Sequence, residues 1–142
     1  MVPVAGDAFE IRVRGHVLMA DQPQSAGGKD TAPTPVELFV AAMASCTAHY
    51  AGRLLDRDGL SRDGLSVRAG FRMADDRPAR VAALALTVRA PSLPPERPAA
   101  LRAVVAHCTV ANTLARATEV ELDVSCGDGE AISAPGPGPA GR

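Results

Sequence analysis

The sequence predicts an α+β domain built on antiparallel strands, and three observations carry that expectation. Strand-like segments come in adjacent pairs, as hairpins do: 7–15 with 16–20, and two more within 64–90. A long, apolar and sharply capped helix lies between the pairs. A second helix and a last strand complete the order strand, strand, helix, strand, strand, helix, strand.

The first strand, "DAFEIRVRG", sets Phe9, Ile11 and Val13 on one side and Glu10, Arg12 and Arg14 on the other. That period of two marks a half-buried strand. "HVLMA" follows Gly15 and completes a hairpin. The stretch 21–34 is rich in Gly, Pro, Ser and Asp and is expected to be a loop. Thr34 then stands at an N-cap, Pro35 at the first helical position and Glu37 three residues after the cap, which is a capping box. The helix runs to about Asp58, with Gly59 as its stop. It is apolar almost all round through its early turns, so burial on several sides is expected. One sheet cannot supply that burial, and a second subunit is the economical cover.

In the second hairpin Val67, Ala69, Phe71 and Met73 alternate, the turn falls near 75–78, and Leu84, Leu86 and Val88 share one face of the return strand. Leu101, Val104, Val105 and Cys108 follow i, i+3, i+4, i+7 spacing, so a helix is expected to end at Cys108. The final strand spans 117–125, with Val120, Leu122 and Val124 inward. Residues 1–126 are expected to form one domain, and the Gly/Pro-rich 127–142 a disordered tail.

Composition excludes several roles. The chain has 142 residues, 46% hydrophobic and 22% charged, with a formal charge of −1. It carries neither the basic surface nor the aromatic platforms expected for nucleic acid, since aromatics are only 3% and Trp is absent. No stretch approaches the length of a membrane span, and "MVPVAGDAFE" has no signal-peptide pattern, so no membrane partner and a cytoplasmic location are expected. Three cysteines, an odd and sparse set, argue against a disulfide framework. Cys46, Cys108 and Cys126 are therefore structural, metal-binding or redox-active.

Cys46 lies in "MASCTAHY", about three turns into the long helix, beyond the reach of that helix's dipole. A reactive thiolate there needs a cation from elsewhere, and Arg12 and Arg14 on the first strand are the candidates. The plainer alternative is a small residue filling a core, with the arginines on a solvated face. Cys108 is either a second redox thiol or another core residue. Zinc is a weaker possibility. Cys46 and His49 share a helix face, yet His107 and Cys108 are adjacent and diverge by about 100°, and no CxxC pair exists. No metal and no cofactor is assigned. His49 and Tyr50 flank the thiol as possible pocket residues, His16 is ambiguous, and Cys126 borders the tail.

Two runs carry a resemblance. "GGKDTAPTPVELFVAAMASCTAHYAGRLL" resembles the first signature of the OsmC/Ohr family, the osmotically inducible and organic hydroperoxide resistance proteins, and "HCTVANTL" resembles the second. The cysteines are 62 residues apart (108 − 46 = 62), the family's scale, and the likeness spans roughly 8–125. It implies an OsmC/Ohr-like fold, with antiparallel sheets around long central helices in an intertwined homodimer. It also implies a cysteine-based, thiol-dependent peroxidase acting on a small organic hydroperoxide. Cys46 would attack the peroxide and Cys108 would resolve as a disulfide, which a dithiol such as a dihydrolipoyl protein re-reduces. Arg14, or else Arg12, would hold the thiolate, with His49 and Tyr50 nearby. Two departures stand out: the family's glutamate ten residues before the cysteine is Val36 here, with Glu37 one place off, and "C-T-V" replaces "C-P-V". The sequence is similar to the OsmC-like branch, which leaves a non-catalytic protein binding a small apolar ligand at a dimer interface as the alternative.

Overall fold

The computed structural model describes residues 1–116, 118–124 and 132–133. The helix that organises them is α1 (Pro35–Arg57). Thr34 Oγ1 accepts the Glu37 amide at 3.1 Å while the Glu37 carboxylate accepts the Thr34 amide at 2.7 Å, so the expected capping box is formed. Asp58 caps the far end, and Gly59, at φ 68°, turns the chain out. Val40, Met43, Thr47, Ala51, Leu54 and Leu55 form its buried stripe. The stripe's helix packs chiefly on β4 (Ser66–Met73), and also on β5 (Val81–Arg89). Ala41, Ala42, Ser45 and His49 stay exposed, so within one chain α1 is covered along one side rather than several.

β4 and β5 form the second expected hairpin, with Val67↔Val88, Ala69↔Leu86 and Phe71↔Leu84 paired on one face. The first hairpin is β2 (Ala8–Val13) with β3 (His16–Ala20), and Ile11↔Leu18 sits at its centre. An additional strand, β1 (Val2–Ala5), pairs with β2 and makes a three-stranded sheet separate from β4–β5. Its four residues are too few for an alternation to be recognised. Arg14 lies outside β2, at φ 55° in the two-residue turn with Gly15.

The expected helix through Cys108 is instead two helices. α2 (Pro98–Val105) ends before the turn at Ala106–His107, and α3 (Thr109–Leu114) begins after Cys108. With ψ near 118°, Cys108 is extended backbone and serves as the N-cap position of α3. The last expected strand is shorter than 117–125. β6 is Asp123–Val124 and pairs with β7, Ile132–Ser133. Val120, Leu122 and Val124 are exposed rather than inward, because no described element packs over them. Apart from Ile132 and Ser133, the expected tail lies outside the described residues, and so does Cys126. No helix among the described residues is long and apolar enough to cross a membrane.

The loop after β3 is closed by Asp21, which is 1% exposed. Its carboxylate accepts the amides of Gln22, Lys29 and Thr31 and the Thr31 hydroxyl, the last at 2.7 Å. This clasp fixes the entry to α1.

Candidate active site

α1 delivers Cys46 half-buried, and the α2–α3 junction delivers Cys108 fully buried against it. The two thiols act on each other, Cys108 favouring the thiolate of Cys46 and Cys46 favouring the protonated form of Cys108. Burial pushes the Cys46 thiol up, but the Cys108 thiol and then the amides of Val110 and Thr109 outweigh it, and the net effect is downward. For Cys108, burial and then the neighbouring Cys46 both push upward, against smaller help from the Ala111 and Val110 amides. The pair is therefore asymmetric. The accessible thiol is the better thiolate, and the buried one holds its proton.

The stabilisation has a source that the sequence does not display. α1's own dipole is remote, and a cation was the expected substitute. The first amides of α3 take that part instead, and they reach the thiols because the chain breaks at Cys108. The helical spacing of Leu101, Val104, Val105 and Cys108 conceals the break. Only the left-over "TVANTL" hints at a second short helix.

The other expected residues are placed as follows. Arg12 donates to Glu10 at 2.5 Å and is largely exposed, and Arg14 is in the β2–β3 turn. Neither is among the groups that act on Cys46 within the chain. His49 is exposed and stands edge-on to Tyr50, with ring centres 5.7 Å apart. Tyr50 lines a cleft between α1 and the end of α2, with His107 on the opposite wall and neither thiol in its lining. His16 opens β3 opposite Val13. Val36 is half-buried, and the Glu37 carboxylate is committed to the Thr34 cap. Among the described residues no three His, Cys, Asp or Glu side chains gather as a metal set. One residue that sequence reasoning passed over adjoins the thiol: Thr47, 1% exposed, has a hydroxyl without a hydrogen-bond partner among the described residues.

A nucleophilic thiol beside a second, proton-bearing thiol can be oxidised and then close to a disulfide. No curated protein matches the sequence. Among solved structures, a Psychrobacter arcticus protein named for osmotic stress induction and detoxification response aligns with TM-score 0.67 and 24% identity, over 80% of this chain and 85% of that one. An OsmC-like hydroperoxide resistance protein from Jannaschia aligns with TM-score 0.57 and 22% identity, over 84% and 79%. An organic hydroperoxide resistance protein OsmC from Legionella pneumophila aligns with TM-score 0.55 and 20% identity, over 80% and 91%. At these identities the likeness establishes the fold. The model of the OsmC-like protein family matches residues 27–123, a stretch that contains Cys46, Cys108 and the capped helix α1. The chain belongs to the OsmC-like protein family.

Proposed function

We propose that the chain is a cysteine-based, thiol-dependent peroxidase that reduces small organic hydroperoxides, working as a homodimer in the cytoplasm. The observation that carries this reading is the unequal thiol pair, half-buried Cys46 with its lowered pKa against buried Cys108. The Cys46 thiolate attacks one peroxide oxygen and the O–O bond breaks. The alkoxide leaves and takes a proton from water, giving an alcohol and a Cys46 sulfenic acid. Cys108 sulfur attacks the sulfenic sulfur, water leaves, and a disulfide remains. A dithiol, such as a protein-bound dihydrolipoyl group, then exchanges with that disulfide and carries the oxidation away. The names of relatives sharing the fold support the peroxide class.

The test uses purified protein with cumene or t-butyl hydroperoxide and a dithiol. Wild type consumes peroxide and yields a Cys46–Cys108 disulfide by peptide mapping. Cys46→Ser is inert, and Cys108→Ser stops after one equivalent with a dimedone-reactive Cys46. Equal peroxide consumption by wild type and Cys46→Ser ends the proposal. One observation favours a second reading: Val36 occupies the family's glutamate position, and among the described residues no arginine acts on Cys46. A non-catalytic binder of a small apolar ligand would show peroxide-inert thiols and a co-purifying ligand in native mass spectrometry.

A further inference from the structure

The apolar spacing through Cys108 would let α2 and α3 run on as one helix. They do not, and the break has an identifiable holder. The end of α2 tightens, with the His107 amide donating to the Val104 carbonyl at 3.1 Å and the Cys108 amide to the Val105 carbonyl at 2.9 Å. Beyond it, the Asn112 side-chain amide donates to the Ala106 carbonyl and to the Cys108 carbonyl, each at 3.1 Å. The Asn112 backbone amide also donates to the Cys108 carbonyl, at 3.0 Å. One side chain thus commits both its donors to the carbonyls on either side of His107, and only its nitrogen suits two acceptors. The Ala106 carbonyl decides the outcome. In a continuous α-helix it would take the amide of Val110, four residues on. Here Asn112 fills that acceptor, and the Val110 amide acts on both thiols instead.

We propose that Asn112 is a positioning residue of the thiol pair, holding the α2–α3 break open so that Cys108 and the first amides of α3 face Cys46. It acts through the backbone. Without its side chain, the Ala106 carbonyl finds its nearest replacement donor in the Val110 amide, and the chain is drawn toward a continuous helix. In that helix the amides of Thr109, Val110 and Ala111 turn to the carbonyls of Val105, Ala106 and His107. The support given to Cys46 and the placing of Cys108 are then lost together. The Thr113 hydroxyl, which donates to the Thr109 carbonyl at 2.9 Å, lies inside α3 and leaves the break alone. The use of this clamp rests on the peroxidase reading: in that reaction it sets how readily Cys108 meets the oxidised Cys46 sulfur.

The experiment equilibrates the full-length protein in glutathione redox buffers and follows iodoacetamide labelling of Cys46 across pH, with a thermal melt of each variant. Wild type is expected to form the Cys46–Cys108 disulfide. Asn112→Ala, which loses two hydrogen bonds, is expected to lower the equilibrium constant for that disulfide about tenfold and to move Cys46 labelling to higher pH. Asn112→Asp keeps the shape but turns a carboxylate toward two carbonyls, and is expected to lose at least as much. Asn112→Gln keeps the amide and is expected to recover part of the loss. Thr113→Ala is expected to lower the melt and leave both redox readings unchanged. Wild-type readings in Asn112→Ala and Asn112→Asp overturn the inference, as does an equal loss in Thr113→Ala. If Asn112→Ala does not fold, Asn112→Asp against Asn112→Gln carries the same comparison. Glutathione exchange needs no peroxide, so a protein that forms the disulfide yet leaves hydroperoxide unconsumed fails the peroxidase reading alone.

Discussion

Asp21 shows what one side chain contributes. A carboxylate taken out of water needs donors, and this one finds them in Thr31, Gln22 and Lys29. The Thr31 hydroxyl contributes most, followed by the Thr31 and Gln22 amides, and the pKa is held down at about 2 despite burial. Because the folded value lies below the unfolded one, the clasp's contribution is complete above pH about 4 and fades as pH falls toward 2. Thermal melts of wild type are expected to drop over that interval, and those of Asp21→Asn to start lower and drop less. Parallel declines would show that Asp21 is not the acid-sensitive anchor. The composition of 21–34 marks a loop, but it cannot show which acid the loop wraps, since the donors lie up to ten residues away. Cys46 was similarly legible as a candidate. Its neighbours in space were not.

At the scale of elements, caps and alternations are written in neighbouring residues, whereas breaks depend on backbone conformation that spacing does not encode. The capping box is decided within four residues, so α1 was legible from its first turn. The α2–α3 junction depends on the conformation of Cys108, which apolar spacing does not encode. Two glycines illustrate the same contrast. A Cβ at Gly28 would stand 1.9 Å from the Gln22 carbonyl oxygen, and that oxygen also accepts the Asp30 amide. Backbone has to move, so Gly28→Ala is expected to lower stability by about 2 kcal/mol in urea titration. A Cβ at Gly52, inside α1, meets the Arg62 guanidinium at 2.8 Å, the movable end of a side chain. Releasing Arg62 weakens an exposed pair with Asp56, whereas alanine favours the helix by about 1 kcal/mol. Gly52→Ala is thus expected to stay within about 0.5 kcal/mol of wild type. If the two variants are equally destabilised, the assignment of rigid and yielding neighbours is wrong.

For the whole molecule, the telling quantity is how little one chain buries. Among the described residues eight apolar side chains are buried, while Phe9, Val13 and Leu18 lie open on the first sheet and Phe71 and Met73 on the second. Phe9, Val13 and Leu18 lie on the side of the β2–β3 hairpin that carries Ile11. The sequence made the fold class legible because each hairpin and helix is local. It left the separation of the two sheets unread, because pairing partners do not reveal which faces remain uncovered. Exposed apolar area on this scale favours association. Under the homodimer proposal, wild type is expected to elute at twice the chain mass in light-scattering chromatography. Leu18→Glu, opposite Ile11, is expected to shift it toward the monomer and to lower the melting temperature. A monomeric wild type with an unchanged Leu18→Glu melt would end that expectation.

Cys108 occupies a hinge between two short helices, and Cys46 sits in the longest element of the chain. A covalent link between them would close a loop of 62 residues (108 − 46), a restriction of the unfolded chain of about 4 kcal/mol. Peroxide would then act as a molecular latch, making the spent form more heat-resistant than the ready one by several degrees in calorimetry. The ready form would be the softer state, and reductant supply would govern the protein's durability together with its turnover.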